Sequence, residues 1–281
     1  MQPPRVSTQA VVLAGLVVAF ALAPLVDAVP FQVPFEVRTL DGSKNNQRNP
    51  DWGRANTQHT RVAAPNYADR IAQPVSGPSP RYVSNRIFND TSQNLFSENG
   101  VTQWGFAWGQ FLDHTFGLRQ EAGGESAPLP FDAADPIEEF RNDLGSIAFT
   151  RTPAAPGTGT SSPRQQINTV PSYLDAFAVY SGDGSRLEWL RSGPYDGRLQ
   201  NNGATLMLDA GYLPRRDARG DAASAPVMAT EGRLASQPGR AMVAGDVRAN
   251  ENIALTATHT LFAREHNRIV AALPRRLDDE T

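Results

Sequence analysis

Within Trp108-Gly109-Gln110-Phe111-Leu112-Asp113-His114, an amide, a carboxylate and an imidazole fall in one helical turn bracketed by aromatics. Gln110, Asp113 and His114 share a helix face, because spacings of three and four residues bring side chains together. Such groups are costly to bury on an apolar helix unless each finds a partner. Far downstream, Gly245-Asp246-Val247-Arg248-Ala249-Asn250-Glu251 offers Arg248 and Glu251 at the same three-residue spacing. A base and a fixed cation suit heterolysis of a peroxide O–O bond. His114 can take a proton from one oxygen and return it to the other, since imidazole titrates near neutrality. Arg248 stays charged and can stabilise the negative charge developing on the leaving oxygen. By residue type alone, a core histidine and a surface ion pair remain the simpler reading of the same two residues.

Two helices must carry these groups. Val101 to Leu118 has Trp104, Ala107, Trp108, Phe111, Leu112 and Thr115 at helical spacing. Asn250 to Leu273 reads as the longest helix, with Ile253, Ala257, Leu261, Ala263, Ile269 and Val270 along it. Between them the chain reads as irregular. Residues 29–60 are turn-rich, 61–100 and 119–170 read as loop, Tyr173 to Tyr180 is a mixed apolar segment, and 181–240 is again irregular. No internal repeat and no second domain boundary is visible. The expected class is mainly α with long irregular loops.

Composition narrows the function further. The 281 residues are 40% apolar and 20% charged, as in a folded globular protein, and 22 prolines and 23 glycines suit long connections. A net charge of −3 leaves no basic footprint for nucleic acid. Arg5, the apolar run Ala10 to Leu25 and the small residues at Val26-Asp27-Ala28 predict a secretory signal over 1–28. Pro24 breaks that run short of the ~20 apolar residues a spanning helix needs. After cleavage, no membrane span is expected and the mature portion, 29–281, is expected outside the cell. There is no cysteine, which excludes disulfides, thiolate nucleophiles and cysteine-based metal sites. Redox chemistry here would need a borrowed centre.

The Trp108–His114 string resembles the distal motif of the animal-type haem peroxidases, in the peroxidase–cyclooxygenase superfamily. Gly245–Glu251 resembles that family's catalytic-arginine motif. His259-Thr260-Leu261-Phe262 with Arg264-Glu265-His266-Asn267-Arg268 is similar to the helix that follows it, and Arg38–Gly42 with Asn45-Asn46 and Pro50–Gly53 to its N-terminal segment. The four blocks occur in the family's order across most of 35–275. The resemblance implies a haem peroxidase-like fold and haem b as cofactor, with His114 as distal base and Arg248 as distal arginine. It implies Gln110 as the amide that holds distal water or a halide, and Asp113 and Glu251 as carboxylates ester-linked to haem. A ferric ion beside Arg248 would further favour neutral His114. Asn252 stands where some members place a methionine that forms a sulfonium link, so that bond is not expected.

Two departures qualify the resemblance. The family's calcium loop aligns with Pro171–Phe177, and its acidic ligand after the distal histidine aligns with Thr115. Asp175 and Thr115 remain as calcium candidates, but Pro171 and Phe177 bring no side-chain oxygen, and calcium takes about six to eight. The family's proximal iron ligand would fall past Thr281. None of His59, His114, His259 and His266 matches it, and the last two resemble positions of structural character. The chain therefore reads as the N-terminal, distal part of a peroxidase domain, ending before the proximal half. The expected activity is peroxidation by hydrogen peroxide of a small reducing substrate: a halide, thiocyanate or a phenol. The alternatives are a fatty-acid dioxygenase of the same superfamily and a non-catalytic fragment.

Overall fold

The computed structural model describes residues 39–89, 95–120, 123–131, 135–136 and 144–273. The leader expected over 1–28 lies outside them. Among the described residues, five α-helices, α1 (Pro80–Ile87), α2 (Gln103–Phe116), α3 (Phe177–Tyr180), α4 (Gly184–Leu190) and α5 (Ile253–Ala272), are joined by long connections. Two small antiparallel ladders pair β1 (Thr57–Gln58) with β4 (Ile167–Asn168), and β2 (Leu129–Pro130) with β3 (Ser146–Ile147). The expected mainly helical, loop-rich class is what forms.

The packing centre is α2 against α5. On α2, Ala107, Phe111, His114 and Thr115 are buried, a spacing of four, three and one that turns one stripe inward. On α5 the matching stripe is Leu255, Thr258, His259 and Ala263. Phe111 stacks on Phe262 with ring centroids 4.8 Å apart and 6° between planes, and Trp108 stacks on both. Such offset pairs each add about 0.5–1.5 kcal/mol beyond the apolar area they bury. Val179 of α3, Trp189 and Leu190 of α4, and Leu206, Leu213, Val243 and Ala244 from the connections complete the core.

The connections are held by polar groups that the sequence reading left as loop. Glu188 is buried, and its Oε1 accepts from the amides of Asp196, Gly197 and Arg198, which fixes the turn after α4. Arg219 donates to the carbonyls of Trp189 and Gly193, so its charge sits at the negative end of α4. Likewise Arg81 and Asn85 of α1 bind the fully buried carboxylate of Asp135, the arginine through two bonds of 2.9 Å. Both α1 and α4 correct the reading of 61–100 and 181–240 as irregular. Each is capped locally: Ser79 accepts from the Arg81 amide ahead of Pro80, and Asp183 from the Ser185 amide.

Candidate functional site

The site forms where the segment before α5 crosses the C-terminal half of α2. That segment can approach only because residue 245 is glycine. A side-chain carbon there would meet the Val179 carbonyl carbon at 2.5 Å and the Ser181 amide nitrogen at 2.6 Å, both backbone atoms of the α3 region. The close approach lets the Asp246 amide donate to the Ala178 carbonyl at 3.0 Å. Asp246 is thereby held in the interior, 1% exposed, facing α2.

Arg248 closes on it. Its Nε donates to Asp246 Oδ1 at 2.9 Å and one terminal nitrogen to Oδ2 at 2.7 Å, a two-bond clamp within one tight turn. The same guanidinium donates to the carbonyls of His114 at 3.0 Å and Gly117 at 2.9 Å. Arg248 therefore caps the C-terminal end of α2, where unpaired carbonyls concentrate negative potential. The residue expected to face the leaving oxygen is, in this arrangement, also the strut that fixes the backbone of the expected base.

His114 is 5% exposed, between two carboxylates. Its Nδ1 lies 3.9 Å from Asp246 Oδ1 and its Nε2 3.6 Å from Glu251 Oε2. Both separations exceed a hydrogen bond, and Nδ1 is a buried atom without a partner. Burial lowers the imidazole pKa from its ordinary value and the Arg248 charge lowers it further, against the opposing pull of Asp246 and Asp113. The ring is thus favoured neutral, as expected of a proton-accepting base. A proton on Nδ1 would face the Asp246 carboxylate and leave the Nε2 lone pair toward Glu251.

Gln110, His114 and Glu251 come together. Gln110 Nε2 donates to Glu251 Oε2 at 2.7 Å, and Gln110 Oε1 accepts from Asn252 Nδ2 at 2.8 Å. Asn252 does two jobs, since its Oδ1 also caps α5 through the Leu255 amide at 2.9 Å. Burial raises the Glu251 pKa from its ordinary value, opposed by Arg248 and by the Gln110 bond. Asp113 lies one turn from Gln110 on the exposed side of α2. That side carries Phe106, 67% exposed, and Phe116, 41% exposed. At Gly109, between Phe106 and Asp113 along it, no described residue lies within 4 Å of where a side chain would begin.

An open apolar strip flanked by Asp113 and Glu251, with a neutral imidazole and an amide at its edge, fits a flat, largely apolar macrocycle. Haem is such a group. Calcium fits less well. The Thr115 hydroxyl is spent on the Phe111 carbonyl at 3.0 Å, and Asp175 accepts from the Phe177 amide in its own turn. Among the described residues no cluster of three or more His, Cys, Asp or Glu could hold a metal ion.

Two members of the site escaped sequence reasoning. Asp246, the counter-charge of Arg248, was legible in the Asp-x-Arg spacing, where a two-residue separation lets a carboxylate fold back on a guanidinium. Asn252 was read only as a missing methionine, although an Asn three residues before an apolar helical position is a capping signal. His266 has the structural character expected of it, with Nδ1 2.8 Å from the Tyr180 hydroxyl and Nε2 2.8 Å from the Ala204 carbonyl.

The family profile described as animal haem peroxidase matches residues 37–281. Human thyroid peroxidase is 31% identical over 273 residues, covering 84% of this chain and 29% of that protein. Peroxidase A from Dictyostelium discoideum superposes with a TM-score of 0.67 at 26% identity, over 88% of this chain and 48% of that one. A fatty acid alpha-dioxygenase from Oryza sativa superposes with a TM-score of 0.59 at 20% identity, over 90% of this chain and 36% of that one, which is likeness of fold alone. The chain spans under a third of the thyroid peroxidase and about half of the Dictyostelium enzyme.

Proposed function

This chain belongs to the animal haem peroxidase family, and on that footing we propose that it carries the distal machinery of an exported, haem-dependent peroxidase. The observation that carries the reading is the convergence of Gln110, His114 and Glu251 at the edge of the open strip, with Arg248 and Asp246 locked behind them. When bound, haem supplies the redox centre that takes up the oxidising equivalents of hydrogen peroxide and passes them to a halide, thiocyanate or phenolic donor. The protein's part is proton handling. His114 Nε2 takes the proton from the nearer peroxide oxygen and returns it to the farther one, which leaves as water. Arg248 keeps that nitrogen neutral and ready to accept, and fixes the turn that presents it. Gln110, oriented by Asn252, holds water or a halide beside Glu251. Asp113 and Glu251 would tether haem by ester bonds, and the leader over 1–28 would direct export.

The test is peroxide turnover by haem-loaded protein. His114→Ala should lower kcat/KM by about 10²–10⁴-fold, the usual range for a positioned acid–base group. Unchanged turnover in both His114→Ala and Arg248→Ala would sink the assignment. Failure of the 281-residue chain to develop a Soret band with added haem would place the activity in a longer polypeptide. Haem that stays attached through acid extraction, and is released by Asp113→Asn with Glu251→Gln, would favour peroxidase over fatty-acid dioxygenase.

A further inference from the structure

Away from the α2–α5 junction, a cleft of about 430 Å³ is lined by His59, Arg119, Phe149, Arg151, Thr152, Arg164 and Gln166. Three elements build it. The β1–β4 ladder places His59 opposite Gln166, joined by a 3.0 Å backbone bond. The chain leaving α2 brings in Arg119 through its bridge to Asn168. The ribbon 124–127 closes on 149–151, and only glycine fits at 124, where a side-chain carbon would strike the Arg151 carbonyl oxygen.

Among the described residues the charges there do not balance. Arg151 and Arg164 share one carboxylate, Glu125. Their remaining described bonds go to the neutral carbonyls of Ala72 and Thr152. Arg61, which donates to the lining residue Gln166, also meets only neutral acceptors: Gln165, Gln166, the Arg164 carbonyl and the Tyr67 hydroxyl. Among the described residues the Arg119 side chain makes no hydrogen bond or ion pair; burial, and then the Arg119 charge, disfavours protonation of His59. Arg164 is 7% exposed and the His59 Nε2 atom is buried without a partner. Like-charged guanidiniums gathered around a cavity raise one another's energy, and an anion of complementary shape relieves it.

We propose that this cleft binds an organic oxyanion: a carboxylate or phosphoryl group carried on an apolar body. Arg119 and Arg164 take the charged head, His59 Nε2 and Gln166 supply polar contacts, and Phe149, 43% exposed, lies under the body. The size matters, because a cleft within the usual range for small-molecule sites of about 300–1,000 Å³ exceeds what a bare halide fills.

Calorimetric titration of the 281-residue chain with benzoate, phenyl phosphate, inorganic phosphate and chloride, at constant ionic strength, tests this. Saturable binding of benzoate or phenyl phosphate is expected, and whichever binds tighter identifies the head group. Arg119→Ala should weaken that binding about ten-fold or more, the scale of one lost charge-assisted bond, with an unchanged thermal midpoint because Arg119 is exposed. Phe149→Ala should weaken both aromatic ligands. The proposal is overturned if neither aromatic anion binds, if inorganic phosphate or chloride binds as tightly as both, or if Arg119→Ala binds them as the parent does.

Discussion

The two sides of α2 face opposite environments. Its inner side is closed: Phe111 stacks on Phe262, His114 sits between carboxylates, and Arg248 spends its donors on Asp246 and two carbonyls. Its outer side leaves Phe106, Asp113 and Phe116 exposed around an unfilled surface at Gly109. The difference separates two demands. On the proposed reading the inner side holds a base to within fractions of an ångström, which takes interlocked packing and paired charge. The outer side, where the proposed reading seats a large flat cofactor, is open, so its side chains add little to the stability of the chain alone.

The strongest way to break the contrast is Asp246→Ala. It leaves the Arg248 charge buried without its counter-ion, and removing one partner of a buried pair typically costs about 3–5 kcal/mol. Denaturant titration should show the midpoint falling by that equivalent, with the α2 C-terminus losing amide protection first.

Acid is the next probe. His259 is fully buried against Phe111 and Met207, and neither ring nitrogen makes a hydrogen bond. The Ala178 carbonyl is near enough to favour the protonated ring, yet burial wins and pulls the pKa from 6.5 to about 4. The unfolded chain therefore holds this proton more tightly than the folded one. Stability is fully present above pH 6.5 and is lost as pH falls toward 4, by about 3 kcal/mol in all. His114, lowered in the same direction, adds to the loss. His259→Leu should flatten the stability–pH curve over that window, and an unchanged slope would show that His259 is not the titrating group.

The smallest effect belongs to the outer side. Phe106→Ser and Asp113→Asn should each change stability by no more than about 0.5 kcal/mol, as exposed substitutions do. A larger loss in thermal melts would mean that the outer side is already engaged in the chain by itself.

Regular periodicity made some of this legible in the sequence and tertiary context hid the rest. Val101–Leu118 and Asn250–Leu273 bracket α2 and α5 within a few residues, because apolar spacing and aromatic content signal a buried helix face. The far boundary moved to Ile253 because Asn252 turns its side chain into a cap. α1 buries no residue of its own and α4 runs only seven residues, so neither carries a usable period. The β1–β4 ladder joins residues more than a hundred positions apart through two residues on each strand, and β2–β3 is equally short, so neither leaves a local signature. In the site, residue type and spacing singled out Gln110, His114, Arg248 and Glu251, the family resemblance gave them roles, and the folded chain brings them together. That Arg248 faces the carbonyls of α2 depends on a crossing that only the folded chain defines.

That crossing also sets an order of events. The carbonyl of Gly117 waits for a donor 131 residues later in the chain. At the usual pace of about 5–20 residues per second, the α2 turn bearing His114 would be made on the order of ten seconds before Arg248 can reach it. The helix can form early from its own aromatic face, but its last turn is completed only when the Gly245 segment arrives. Docking of that segment, a long-range event, is therefore the step that fixes the last turn of α2 and completes the site proposed for proton transfer.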